Sequence, residues 1–235
     1  MTTRWDRDTL PVGDEKRIAV RQMFDAVAPR YDRVNRIMTF GLDVRWRRRA
    51  VRRLDLPRGS LVADLASGTG DLCIDLARVG LRPISTDLSF GMLSADRSGA
   101  PRVQGDVAQL PYRTGSVDGV TSGFALRNLV DLDACFADIA RVVRPGGRIA
   151  LVDVATPAFP PMRWGHSIYF GKVVPRIGAL LGSDAGAYRY LPRSVSYLPP
   201  GREMAAMLAR HGFGDARHEL LSGGITQLLS GTRDP

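Results

Sequence analysis

Three aspartates in this sequence sit in or at the end of short apolar runs. Asp64 lies in LVADLA (61–66), which leads into SGTG (67–70). Asp87 ends RPISTD (82–87), and Asp106 ends RVQGD (102–106). Short apolar runs bounded by turn residues read as buried strands. A carboxylate at the end of such a strand can accept hydrogen bonds from ribose hydroxyls or an exocyclic amine. Gly68 and Gly70 let backbone N–H groups approach a ligand at a helix N-terminus. A second constellation is GFALRN (123–128), where Arg127 and Asn128 follow another buried run.

The pattern D-x-x-x-G-x-G lacks the third glycine of a dinucleotide fingerprint, where Cys73 stands. It also lacks the G-K-[ST] of a phosphate loop. A nicotinamide oxidoreductase is therefore disfavoured. Three acids converging on one crevice repel a diphosphate and suit a cation. S-adenosylmethionine fits, with a sulfonium, an ammonium and no phosphate. In that reading Asp87 meets the ribose, while Asp106 and the Val107 N–H meet the adenine.

The elements that must position these residues alternate strand and helix from Leu61 onward. Strands are expected at 61–66, 82–87, 102–106, 117–124 and 148–154. Helices follow the glycine turn, start at Ser89 or Phe90, and span 131–143, with Ser89 and Asp131 as N-caps. A last helix (201–211) and a β-hairpin from ARHELL and ITQLLSG close the chain. This predicts an α/β, doubly wound Rossmann-like sheet of seven strands with the last pair antiparallel. Ahead of it, residues 14–30 read as a helix. YDRVNRIMTFGLD reads as a polar-aromatic connection. Residues 43–54 read as a basic helix with Trp46, Ala50, Val51 and Leu54 on one side. Residues 1–56 are taken as an N-terminal helical segment and 57–235 as the main domain. The proline- and aromatic-rich stretch 156–198 breaks the rhythm and reads as a lid-like insertion.

Composition sets outer limits. The chain has 235 residues, 44% of them hydrophobic, enough for one domain with a sizeable core. No run of 18 apolar residues predicts a membrane span, and the N-terminus has no signal-peptide core. Two cysteines, Cys73 and Cys135, and three scattered histidines favour a reducing cytoplasm and no structural metal. The net charge is +9, concentrated in the N-terminal third, where only Lys16 is a lysine. That bias could face anionic lipid or an acidic ligand; without RNA-binding aromatics, nucleic acid is not expected.

The chain looks like a class I S-adenosylmethionine methyltransferase, and the resemblance narrows further. YDRVNRIMTFGLDVRW (31–46), GFALRN, RVVRPGGRIALVDVATP (141–157), YRYLPRSVSYLP (188–199) and LSGGIT (221–226) resemble, in order, segments of the ubiquinone/menaquinone biosynthesis C-methyltransferases. The resemblance runs from about residue 17 to the end. It implies C-methylation of a quinol ring, most simply demethylmenaquinol, with a polyprenylated acceptor met at a membrane surface. The basic residues 45–53 would make that contact, and a homodimer is left open. By the same resemblance Thr69 and the backbone of Gly68 and Gly70 hold the methionine end of the cofactor. Asp64 orients the loop or meets the ammonium, and Gly123 lines the cofactor site. Departures are Thr39 for serine, Asp43 for histidine, Gly123 for serine, Ala125 for glycine, Asp153 for glutamate and Ala155 for serine. They leave open a soluble phenolic acceptor or a silent cofactor-binding relative.

Methylating a ring carbon needs electron density that a neighbouring phenolate supplies, and a phenol titrates near 10. Arginine is always protonated, so Arg127 is read as an oxyanion stabiliser and not as a base. Its alternative is an ion pair with Asp131 or Asp133. Asn128 would place the hydroxyl or a water. Asp32, Asp43 or water would take the proton, with His166 behind them. Tyr31, Tyr188 and Tyr190 are candidate wall residues of an acceptor pocket.

Overall fold

A computed structural model describes residues 11–28, 31–174, 176, 190 and 193–235. Tyr188 and part of the expected insertion lie outside the described residues. Three helices come first: α1 (Gly13–Val27), α2 (Tyr31–Met38) and α3 (Leu42–Leu54). There follow β1 (Leu61–Leu65), α4 (Asp71–Arg78), β2 (Arg82–Asp87), α5 (Phe90–Ser94), β3 (Arg102–Gln104) and β4 (Val117–Gly123). Then come α6 (Leu132–Val142), β5 (Val143–Val154), α7 (Pro160–Ile168), α8 (Gly201–Arg210), β6 (Arg217–Leu221) and β7 (Thr226–Thr232).

The strands form one sheet in the order β3-β2-β1-β4-β5-β7-β6. β1 to β5 run parallel, whereas β7 is antiparallel to both β5 and β6. Parallel strands covered on both faces are buried on both faces, and this sheet has a core on each side. On one side Leu65, Phe136, Ile139, Met204, Leu208 and Phe213 pack together. On the other, α3 and α4 contribute Trp46, Ala50, Leu54, Leu72 and Leu76. The expected apolar side of the basic helix is that second core. Because side chains alternate along β1, Val62 and Asp64 share the α4 face. A carboxylate is thereby built into the sheet under the first helix.

The expected caps are present. Ser89 Oγ accepts from the Met92 N–H, and the Asp131 carboxylate accepts from the Ala134 N–H. Three expectations change, the first being that β5 begins at Val143, five residues before the expected start, and takes in the Pro145–Gly147 turn. YDRVNRIM is helix α2, not a connection. It buries only Val34 and Met38, one turn apart, so its apolar signal is short, and Gly41 at φ 74° begins the next helix. The third strand ends at Gln104; Asp106 lies past it, joined to Gln109 by an isolated bridge.

Gly119 lies in β4 between Val62 of β1 and Arg148 of β5. A Cβ there would come 2.8 Å from the Arg148 carbonyl oxygen and 2.7 Å from Leu56 Cδ1. Backbone cannot yield as a side chain can. Gly119→Ala is expected to cost about 1–3 kcal/mol, read as a lower urea midpoint with an unchanged slope.

Candidate functional site

Two cavities meet at the carboxyl ends of β1, β2 and β4, and Phe24, Tyr31, Asn35 and Phe124 line both. The first gathers the expected cofactor residues Asp64, Gly68, Thr69, Asp87, Asp106, Val107 and Gly123. Gly70 is not in its wall; it sits at φ 83° and serves the turn into α4. A Cβ on it would strike the Asp96 carboxylate at 2.3 Å, so only glycine fits. Five aspartates and three arginines line this cavity, with no lysine, which leaves it net acidic.

Those acids are held in different ways. Asp64 is fully buried; Thr121 Oγ1 donates to it at 2.8 Å and Cys73 Sγ at 3.6 Å. Burial outweighs these bonds and pushes its carboxyl up to about 7. Asp87 accepts from the Gly68 N–H at 2.9 Å and the Ser89 N–H at 2.8 Å, tying the glycine loop to β2. Burial raises it to about 6. Asp106 is more open and lies 3.5 Å from Arg17 of α1. Thr69 does not present a free hydroxyl, because it donates to Asp32 of α2.

The second cavity has a volume of about 410 Å³ and is mostly apolar. Met23, Met38, Phe40, Trp46, Phe124 and Met162 are among its walls. Arg127 and His166 bring polar atoms to it. Arg127 pairs with neither Asp131 nor Asp133. Its Nη1 donates to Asp153 at the end of β5, and its backbone N–H donates to the other Asp153 oxygen at 3.0 Å. Its Nε is buried and has no partner. Burial lowers and Asp153 raises the guanidinium, with a net rise. The His166 imidazole is held below its ordinary value by burial.

Other expected residues fall differently. Asn128 lines the first cavity; its Oδ1 accepts from the Tyr190 hydroxyl at 3.1 Å. Tyr190 itself packs in the core with Met23 and Met92. Asp43 is in neither cavity wall. It is buried and bonded to Arg47, Arg36 and Thr39. Asp32 is held by Arg97 as well as by Thr69, so both carboxylates proposed as proton acceptors are engaged by cations. Sequence reasoning missed the pairing of Asp153 with Arg127. It also missed Asp25 of α1, which accepts from Ser89 Oγ at 2.5 Å and the Gly91 N–H at 3.0 Å. Adjacency of β4 and β5, each ending near a charged residue, was the available signal for the first.

The sheet order with its reversed β7, and the glycine loop between β1 and α4, define the class I methyltransferase fold. Solved structures agree on the fold. A Thermotoga maritima S-adenosylmethionine-dependent methyltransferase, described as a possible histamine N-methyltransferase, aligns with a TM-score of 0.63 at 17% identity, covering 90% of this chain and 98% of that one. A Haemonchus contortus phosphoethanolamine N-methyltransferase 2 in complex with S-adenosyl-L-methionine aligns with a TM-score of 0.57 at 14% identity, covering 78% and 51%. Over residues 11–233 the chain matches the ubiE/COQ5 methyltransferase family, and it belongs to that family. It is 36% identical to the demethylmenaquinone methyltransferase of Roseiflexus castenholzii, over 96% of this chain and 98% of the relative. It is 37% identical to the ubiquinone/menaquinone biosynthesis C-methyltransferase of Geobacter sulfurreducens, over 93% and 90%.

The buried pair gives a stability prediction. Asp153→Leu or Arg127→Leu alone strands the opposite charge and is expected to cost about 3–5 kcal/mol. The double variant is expected to recover much of that loss. A double-mutant cycle in urea checks it, and additive costs would show that the pair is not coupled.

Proposed function

We propose that the chain methylates a ring carbon of a quinol, demethylmenaquinol, with S-adenosylmethionine as donor. The observation that carries this is Arg127, with an unpartnered buried Nε in the wall of an apolar cavity adjoining an acidic one. A buried N–H without a partner costs about 1–3 kcal/mol unless a ligand accepts from it. A phenolic oxygen is such an acceptor, and the apolar walls suit a prenyl tail.

The first cavity fits the cofactor by charge. Desolvated carboxylates with raised titration points gain from a nearby cation and would repel a phosphate. Asp87 would accept from ribose hydroxyls, and Asp106 with the Val107 N–H would receive adenine. Asp64, the glycine loop and Gly123 would enclose the methionine portion. When bound, S-adenosylmethionine supplies an electrophilic methyl group.

In the second cavity Arg127 stabilises the oxyanion that develops as the hydroxyl proton leaves. Asp153 fixes the guanidinium through Nη1, so that Nε faces no competing partner. Phe124 and Tyr31, common to both cavities, hold the ring where the two meet. Asn128, held by Tyr190, lies on the cofactor side and positions Arg127 through the turn they share. Asp43 is walled off, and Asp32 is held by Arg97. Cavity water takes the proton, with His166 as another group in that wall able to do so.

Arg127→Ala would confound chemistry with the stranded Asp153 charge, so Arg127→Lys is the better test. It keeps the charge and removes the fork of donors. Turnover of demethylmenaquinol is expected to fall about 10²–10³-fold, with cofactor affinity within about twofold of wild type. Unchanged turnover would sink the oxyanion role.

The acids give a pH dependence with a definite sign. Raised carboxyls protonate as pH falls through about 7 and then about 6, and a neutral acid no longer attracts a cation. Cofactor affinity is expected to weaken from pH 7.5 down to 5.5, by up to about tenfold per pH unit for each coupled carboxylate. Titration calorimetry across that range measures it. In Asp64→Asn the upper part of the slope should vanish; its persistence would exclude Asp64.

A further inference from the structure

The apolar cavity reaches the surface beside a helix, α7, that is not buried among the described residues. Phe40 and Met162 line the cavity, yet Phe40 is 79% exposed. No residue of α7 is buried. Trp164 on α7 and Phe159 just before it are 71% and 63% exposed. The helix is nevertheless fixed against the end of α2. The Tyr169 hydroxyl donates to the Met38 carbonyl at 2.8 Å, and the Phe40 and Tyr169 rings lie 5.7 Å apart. Met162 packs over the β6–β7 turn, where a Cβ on Gly223 would meet its Sδ at 2.7 Å. Phe40 at the cavity wall, with Phe159 and Trp164 on and just before the helix that supplies Met162, Gly165 and His166 to that wall, expose more aromatic surface than a monomer scatters by chance.

Among the described residues the charge beside this mouth is mainly basic, although Arg49 pairs with the half-exposed Glu219 and Arg48 lies near Asp75. From Asp153 to Asp184 the sequence contains no other carboxylate, while Arg163 sits beside Trp164. On α3, which begins just after Phe40, Asp43 is buried and Arg45, Arg48 and Arg49 are exposed. Arg45 and Arg163 are bonded to no other side chain among the described residues. Exposed Trp and Phe beside the unpaired Arg45 and Arg163, with no carboxylate on α7, match the interface of an anionic bilayer. A second copy of this chain would bring the same arginines against themselves. No helix among the described residues is long and apolar enough to cross a membrane.

We propose that the surface made by Phe40 at the cavity wall, by α7 and by Phe159 just before it docks on an anionic lipid surface, so that a lipid-borne acceptor passes from bilayer to cavity directly. This rests on the quinol reading above and adds the route by which the acceptor arrives. It moves the expected contact from the basic helix alone to the rim it shares with α7.

Flotation of the full chain with phosphatidylglycerol/phosphatidylcholine vesicles tests the proposal, at low and high salt. Binding is expected at low salt and weakens at high salt and on pure phosphatidylcholine. Arg45→Gln/Arg163→Gln should bind anionic vesicles roughly thirtyfold more weakly. Phe159→Ser/Trp164→Ser should lose binding at either salt. Both variants should keep wild-type turnover on a water-soluble short-chain quinol and lose it on vesicle-borne quinol. No flotation on anionic vesicles at low salt, binding that neither variant alters, or a dimer that Phe159→Ser/Trp164→Ser breaks without lipid binding would each overturn it. Turnover of the soluble quinol without vesicle binding would reject the docking surface alone. Vesicle binding without turnover of any quinol would reject the functional reading alone.

Discussion

The buried ion pair between Arg127 and Asp153 sets the geometry on which both cavities depend. Parallel pairing aligns Gly123 of β4 with Val152 of β5, and the Phe124 N–H donates to the Val152 carbonyl at 2.7 Å. The chain then leaves the sheet through Phe124 at φ 62°, a costly conformation for a bulky residue. That turn swings Phe124 between the cavities and returns Arg127 to Asp153. A buried ion pair is weak evidence of stabilisation, since desolvation of both groups offsets their attraction. A pair of apolar residues would pack as well. Its retention makes sense if the cavity needs a fixed cation with donors to spare.

The N-terminal helices complete the site by removing water from it. Asp25 of α1 holds the start of α5, Asp32 of α2 holds Thr69 and Arg97, and Arg47 of α3 bonds to Asp71 at the start of α4. Lys16 of α1 donates to the Leu129 carbonyl at 2.6 Å and stacks 3.6 Å over the Tyr197 ring. Each contact joins a cover helix to a loop at the carboxyl edge of the sheet. Asp64, inside the central strand beneath α4, and Asp87, at the end of β2, are desolvated by this packing at the carboxyl edge. Their raised titration points thus follow from the architecture, and a cationic ligand relieves the cost.

The sheet was legible because its strands are short apolar runs punctuated by Gly, Pro and Asp, a local signal. The caps at Ser89 and Asp131 were legible for the same reason. Helix α2 was not, because two buried residues among polar ones do not make a stripe. The gathering of acids in one cavity was legible: Asp64, Asp87 and Asp106 line the same wall because consecutive parallel strands end on one edge. What each carboxylate bonds to was not. Asp43 and Asp32 look like free acids in sequence and are bound by Arg47, Arg36 and Arg97, which come from other turns or other elements. The Asp43–Arg47 pair is an i,i+4 contact that the spacing offered, whereas the pairs with Arg36 and Arg97 join different elements and leave no periodic trace.

The substitutions that first suggested a changed pocket now have physical content. A Cβ at Gly123 would lie 2.9 Å from Leu72 Cδ1, so the serine of the resembling family would press on the first buried turn of α4. Gly123 thus lets α4 sit close to the floor of the first cavity. Asp153 is one methylene shorter than the family's glutamate. It still reaches the guanidinium because the Arg127 backbone N–H also bonds to it and draws the turn inward. Both changes act on the packing between strand ends and their helices, and neither removes a charged group from the cavities. They are adjustments of shape around an intact pair, which favours a retained methyl transfer over a silent cofactor-binding role.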